Sequence, residues 1–256
     1  MTPSPETADG GPETDAKVEA EASEPGSPAW WQARYAARDR RRPRQGGLTL
    51  DRITAAALEL ADREGLEALT MRRLGEHLEV RHTSLYRHVA SREELLIATV
   101  DQMLGEIRLP GPGGDWRAGL EDGAREFRRV LAAHPAVVPL LTTGQLLGPN
   151  ALRAREHALA HLLAHGWAPQ SAVQVYFTVT HFVIGAAVLD SGGAARTAGQ
   201  RAAMADLFAS LSPRTHPVVH QHAELLNSLD SEAEFEFGLR ALLFGLGRLN
   251  SEEAPR

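Results

Sequence analysis

Residues 70–92, Thr-Met-Arg-Arg-Leu-Gly-Glu-His-Leu-Glu-Val-Arg-His-Thr-Ser-Leu-Tyr-Arg-His-Val-Ala-Ser-Arg, concentrate side chains whose types and spacing suit base and phosphate recognition. They read as two short helices around a tight turn. The second exposes His82, Thr83, Ser84, Arg87 and His88, with Tyr86 at its margin. Hydroxyls and a phenol can bond phosphate oxygens or base edges, and an arginine can bond a guanine edge with two parallel N–H donors. Arg72 and Arg73 lie near the start of the preceding helix and Arg92 opens the next, where phosphates would pass. A helix-turn-helix places its second helix in the major groove of double-stranded DNA. On pattern alone, an ordinary helical hairpin with solvated polar residues fits the same residues.

The elements that must position these groups are legible as helices. From Leu48 to Glu64, Leu50, Ile53, Ala57, Leu60 and Ala61 fall on one stripe, and Gly65 stands where a glycine cap is expected. Thr70 suits the N-cap of a second helix with Leu74 and Leu78 inward. Val80, Leu85, Tyr86 and Val89 supply the apolar side of a third. Ser91 caps a longer helix whose first turn holds Glu93 and Glu94 and whose apolar face runs from Leu95 to Ile107. Beyond the Pro110–Gly114 loop, helices are expected from Trp116 to Ala133, Asn150 to His165, Ala168 to Asp190 and Glu232 to Leu249. A short helix is expected over 201–211, with 191–200 as a flexible connector. Strand alternation persists nowhere, so the fold class is all-α: a three-helix head plus a larger helical domain.

Charge is distributed unevenly. Residues 1–28 hold seven acids against Lys17, and residues 29–46 hold six arginines against Asp39. The first stretch has too little apolar content to order. The second could form a short amphipathic helix over 29–42 around Trp30, Trp31 and Tyr35, leading into an arginine arm suited to phosphate or the minor groove. The expected domains are 1–46 as acidic tail and arginine arm, 47–93 as the head, 94–250 as a ligand-binding and dimerisation domain, and 251–256 as a tail.

Other chemistries find little support. The chain has no cysteine, which excludes disulfides, thiolate metal sites and cysteine nucleophiles. No apolar run is expected to reach the ~18–20 residues of a membrane span. The N-terminus lacks the basic start of a signal peptide. An all-α enzyme would need a catalytic set, yet there is no GxSxG or HExxH, and Gly111–Gly114 lacks the lysine of a phosphate loop. His157, His161 and His165 recur every four residues, and His216, His220 and His222 cluster in an expected loop. Neither group has an obvious carboxylate partner, so no metal and no cofactor is assigned.

Gly65-Leu-Glu-Ala-Leu-Thr-Met-Arg-Arg-Leu-Gly-Glu-His-Leu, Thr83-Ser-Leu-Tyr-Arg-His-Val and Arg92-Glu-Glu-Leu-Leu resemble the DNA-binding domain of the TetR family of repressors. Trp116, Phe127-Arg128, Gly166-Trp167, His181-Phe182, Gly185 and Phe237-Gly-Leu extend the resemblance to the tetracycline-repressor class of C-terminal domain. It implies a cytoplasmic homodimer that binds a palindromic operator and releases it when a small molecule enters the C-terminal domain. It implies backbone contact by Arg72, a recognition helix carrying His82, Thr83, Ser84, Tyr86, Arg87 and His88, and a phosphate clamp at Arg92. The class places an aromatic residue where Arg87 stands, so the operator should differ.

The same resemblance gives ligand-binding candidates: Phe127, Leu131, Leu141, Gln145, Leu159, Tyr176 and His181, each of which could equally be core packing. His181 in particular reads as a satisfied core histidine. Leucines at 141 and 189 replace a metal-ligating histidine and an acid of the tetracycline repressor, and leucine cannot ligate a hard cation. The implied effector is a small apolar or amphipathic molecule rather than tetracycline–magnesium. A DNA-binding regulator with a vestigial pocket, or with a protein as its signal, is the alternative. The helices at 168–190 and 232–249 carry apolar faces, read as Val173, Val175, Phe177, Val179, Phe182 and Ile184 on one and Phe235, Phe237, Leu239, Leu242, Leu243 and Leu246 on the other. The resemblance implies that they pair across a twofold axis.

Overall fold

A computed structural model describes residues 24–38, 48–109, 111, 114–144, 146–192, 198–228 and 230–253. Among them all regular structure is helical and no strand occurs. Twelve α-helices are described: α1 (Pro28–Arg38), α2 (Leu50–Glu64), α3 (Met71–His77), α4 (His82–Leu85), α5 (Arg92–Leu104), α6 (Trp116–Ala133), α7 (Pro149–Ala164), α8 (Pro169–Gly192), α9 (Ala198–Ser210), α10 (Pro217–Gln221), α11 (Ala223–Ser228) and α12 (Ser231–Glu253). The acidic tail before Glu24 and the arginines at 40, 41, 42 and 44 lie outside the described residues.

Two compact units emerge. The first takes the chain up to Gln102 together with Leu140–Leu152; the second takes Met103–Pro139 and the chain from Arg153 onward. This division differs from a boundary at residue 93, because α5 extends the head by most of its length.

In the first unit, Thr49 Oγ1 caps α2 by accepting the Arg52 amide at 3.2 Å, and Gly65, at φ +85°, closes the helix by donating to the Ala61 carbonyl at 2.8 Å. Thr70 caps α3 in the same way through the Arg73 amide, and Ser91 caps α5 through the Glu94 amide. Ile53, Leu60, Leu69, Leu74, Leu85, Val89 and Leu95 are fully buried and form one core under the caps. The turn between α3 and α4 needs two backbone accommodations. Gly75 approaches so closely that a Cβ there would meet the Val80 carbonyl at 3.0 Å, and Glu79 takes φ +56°, a left-handed conformation that favours glycine. The third helix of the head is shorter than the pattern predicts: α4 ends at Leu85, and Tyr86, Arg87 and His88 form a turn.

In the second unit, Asp115 caps α6 by accepting the Ala118 amide at 2.8 Å. α8 packs against α6 and α12, which also pack on each other. The inward face of α8 is Ala172, Val175, Val179, Val183 and Ala187, against Phe235, Leu239, Leu243 and Leu246 of α12. This corrects the expected faces. Alternate residues of a helix diverge by about 200°, so Val173 and Phe177 cannot share a side with Val175 and Val179, and they point outward. Phe237 likewise faces out, with Phe244 and Leu249.

Other boundaries shift too. His220 lies in the helix α10, with His216 and His222 at its two ends, rather than in a loop, and α12 continues to Glu253 rather than stopping at Leu249. Residues 191–192 and 198–200 of the expected connector are helical, and 193–197 lie outside the described residues. Contrary to expectation, the 23 residues Pro169–Ser191 are long and apolar enough to cross a membrane by length and composition. A run broken by Gln174, Thr178 and Thr180 escapes a count of consecutive apolar residues but not an average over the helix.

Candidate nucleic-acid interface and ligand-binding residues

α4 and the turn after it present the predicted reading residues in two groups. His82, Thr83, Tyr86 and Arg87 are exposed, Tyr86 to 51%, whereas Ser84 and His88 are half-buried. Leu85 and Val89 anchor the segment from beneath, so the exposed side chains stand on a fixed base. Thr83 lies in α4 and Arg87 in the turn that follows, and the Arg87 guanidinium lies 3.5 Å from the Ser84 hydroxyl, leaving most of its donors available. Arg72 is exposed and bonded to Glu76 at 3.2 Å, an arrangement a phosphate could replace. Arg81, exposed at the N-terminal edge of α4, adds a cation that sequence reasoning missed. Its adjacency to the recognition segment was the available signal.

Two other predicted cations do structural work. Arg73 forms a fork with Glu64, and that guanidinium holds the Glu64 carboxyl below the usual carboxylate range. Arg92 is half-buried and donates from Nε to the Leu69 carbonyl at 2.9 Å and from Nη2 to the Leu66 carbonyl at 3.2 Å. It ties the 3₁₀ turn at Leu66–Ala68 to the first residue of α5. Two of its five N–H donors are therefore committed to the head before any phosphate arrives.

The ligand-binding candidates separate. Leu131 is fully buried on α6, with Phe127 half-buried one turn earlier; Leu159 on α7 and Tyr176 on α8 are half-buried. Leu141 is buried in the 3₁₀ turn Val138–Thr142 and belongs to the first unit, and Gln145 lies outside the described residues. His181 is no core histidine: it is exposed on α8, its ring 5.7 Å from that of outward-facing Phe177. Arg155, absent from the sequence candidates, donates to the Tyr176 hydroxyl at 3.3 Å and lies over the Tyr176 ring at 5.7 Å.

The histidines at 161 and 165 direct ring nitrogens to backbone carbonyls. His161 Nε2 lies 3.3 Å from the Trp116 oxygen, and the His165 nitrogens face the His161 and Gly114 oxygens at 2.8 and 3.1 Å. Among the described residues no group of three or more His, Asp or Glu side chains is placed to hold a metal ion.

Comparison with known proteins agrees with this arrangement. Residues 53–99 match the family described as bacterial regulatory proteins of the tetR family, and residues 109–249 match the tetracyclin repressor-like C-terminal domain. The HTH-type transcriptional repressor DrrR1 of Streptomyces coeruleorubidus is 34% identical over 84% of this chain and 86% of its own length. An HTH-type transcriptional regulator of Saccharopolyspora erythraea is 38% identical over 62% of this chain and 68% of its own. The crystal structure of apo ActR from Streptomyces coelicolor superposes with a TM-score of 0.74 at 32% identity, covering 82% of this chain and all of ActR. ActR has also been solved in complex with actinorhodin, at a TM-score of 0.71, covering 78% of this chain and 97% of that one. The chain belongs to the TetR family of transcriptional regulators, with a helix-turn-helix DNA-binding domain and a tetracycline-repressor-type C-terminal domain.

Proposed function

We propose that this protein is a homodimeric repressor, not an enzyme, that grips a palindromic operator in the bacterial cytoplasm and is released by a small apolar or amphipathic effector. The observation that carries the reading is the pairing of an exposed reading segment with an unpartnered apolar face. On α8 and α12, Val173 (42%), Phe177 (41%), Phe237 (68%) and Phe244 (63%) are open in the single chain. A second copy covering that face buries these rings, and a twofold axis supplies the second head that a palindrome requires.

Contacts to bases are assigned to His82, Thr83, Ser84 and Arg87, and contacts to the DNA backbone to Arg72, Tyr86 and His88, while Arg92 braces the head. Within the second unit the effector is assigned to Phe127, Leu131, Leu159, Tyr176 and His181, with Arg155 as an added polar anchor beside Tyr176. ActR, 32% identical, has been solved in complex with actinorhodin, which supports a small-molecule effector for this chain too. Such a ligand acts by preferring a conformation of the dimer that does not fit DNA.

Gel shift against DNA from the protein's own upstream region tests the first claim. Retention that specific competitor removes and scrambled competitor leaves supports it, and retention indifferent to sequence overturns it. Sedimentation tests the dimer: the wild type should run as a dimer and Phe244→Glu as a monomer. A rise in melting temperature with actinorhodin as probe would support the effector class.

A further inference from the structure

Helix α1 lies outside both family matches, yet it is built into the first unit. Its start is specified locally: Ser27 accepts the Trp30 amide on its hydroxyl at 3.2 Å, and Pro28 occupies the first helical position. Its inward side is Trp31, 7% exposed and stacked on Tyr35 with ring centroids 5.8 Å apart. Three long-range contacts then fasten it. Arg34 forms an ion pair with Glu94, a nearly buried carboxylate in the first turn of α5 that also accepts the Ala90 amide. Gly26, at φ +90°, lies so close to Ile97 of α5 that a Cβ would stand 3.0 Å from its Cδ1. The Tyr35 hydroxyl donates to the Leu147 carbonyl at 2.6 Å, across 112 residues of sequence.

The segment that α1 reaches at Leu147 is tied to α5 by a second route. Asp101 of α5, 8% exposed, accepts the backbone amides of Asn150 and Ala151 at 3.1 and 3.0 Å and so caps α7. Gly148 leaves the room: a Cβ there would overlap the Asp101 carboxylate. α1, α5 and the start of α7 thus form a closed triangle of contacts. α5 carries the head at its N-terminal end and continues past Gln102, and α7 continues past Leu152, so these helices are two of the three covalent routes out of the first unit, the third being the turn at Pro139–Leu140.

We propose that α1 is a clasp that locks α5 against the start of α7 and thereby sets how readily the head leaves its DNA-binding position. The regulatory half of this inference rests on the repressor reading above; the clasp itself does not. A contact that bridges two elements stabilises the one arrangement in which both ends meet, so weakening it shifts population toward other arrangements. α1 holds the head without touching the operator through the residues named here.

Hydrogen–deuterium exchange on the full-length protein without DNA tests the clasp. Tyr35→Phe removes one half-buried hydrogen bond and no charge, and Arg34→Gln removes the ion pair. Each should speed exchange of amides in 94–101 and 147–152 by roughly threefold to tenfold, the range for one or two such contacts. Amides in 175–187 of α8 should be unchanged. Unchanged exchange in both windows for both variants overturns the clasp. On DNA recovered by selection with the wild type, Tyr35→Phe should weaken binding by a similar factor with the same slope of log affinity against log salt, because no phosphate contact is lost. Faster exchange with unaltered affinity overturns the regulatory role while leaving the clasp. A flattened salt slope overturns it too, by making α1 a direct DNA contact. Loss of all sequence-specific retention by the wild type counts against the repressor reading instead.

Discussion

Substituting Arg92 distinguishes a phosphate clamp from an internal strut. Its guanidinium gives two hydrogen bonds to main-chain carbonyls, at 2.9 Å to Leu69 and 3.2 Å to Leu66. Leu69 is fully buried, so its carbonyl has no ready access to water if the arginine goes. A hydrogen bond with a charged donor contributes about 1.5–3 kcal/mol net. Two made by one side chain, half-buried rather than sequestered, should total roughly 2–4 kcal/mol, because they are not independent. Arg92→Ala should therefore lower the urea midpoint and reduce the melting temperature by about 4–16 °C for a chain of this size. Arg92→Lys should recover only part of the loss, since an ammonium cannot span two carbonyls as a planar fork does. The assay is urea unfolding followed by circular dichroism, with DNA binding measured where each variant is fully folded. An Arg92→Ala protein as stable as wild type, within about 0.5 kcal/mol, but with uniformly weakened DNA binding would refute the strut and restore the clamp.

Three further outcomes follow from particular residues. Arg87→Ala should leave folding unchanged, because its side chain is exposed and only loosely bonded to Ser84. It should cost about 1–3 kcal/mol at one operator position and relax selectivity there, read by binding to a library of single-base variants. Glu79→Gly should stabilise the head by up to about 1 kcal/mol, the left-handed penalty of roughly 1–2 kcal/mol exceeding the entropy cost of glycine; a lower melting temperature would contradict this. Glu126 is held at about 2 by a fork from Arg129 and the Arg108 amide, against 4.5 ordinarily. A lowered carboxyl value contributes stability above pH 4.5 that fades as the pH falls toward 2. Glu126→Gln should therefore show a shallower loss of urea midpoint than wild type across that window.

Local chemistry was well written in the sequence. Gly65, Thr70 and Ser91 cap the helices they were expected to cap, because a cap depends on residues within one turn of itself. The all-α class and the family were legible for a similar reason, through periodicity and short motifs. What escaped reading was what depends on distance or on register. The Tyr35–Leu147 bond and the Arg34–Glu94 pair join residues far apart in the chain, and no spacing rule points to them. Arg92 looked like a surface cation until the fold brought the Leu66 and Leu69 carbonyls beneath it. In α8 apolar residues stand on more than one side of the helix, so the inward face could not be chosen from composition; its packing against α6 and α12 chose Val175, Val179 and Val183. The ligand-binding candidates were carried by resemblance alone, and Arg155 became visible only through its bond to Tyr176.

The most direct test of the account is a hydroxyl-radical footprint of the full-length protein on its own upstream DNA. The account predicts two protected major-groove half-sites about one helical turn apart, related by a dyad, with protection lost in the Arg87→Ala variant at matching positions in both halves. A single unsymmetrical patch, or protection that follows the protein onto unrelated sequence, would contradict it.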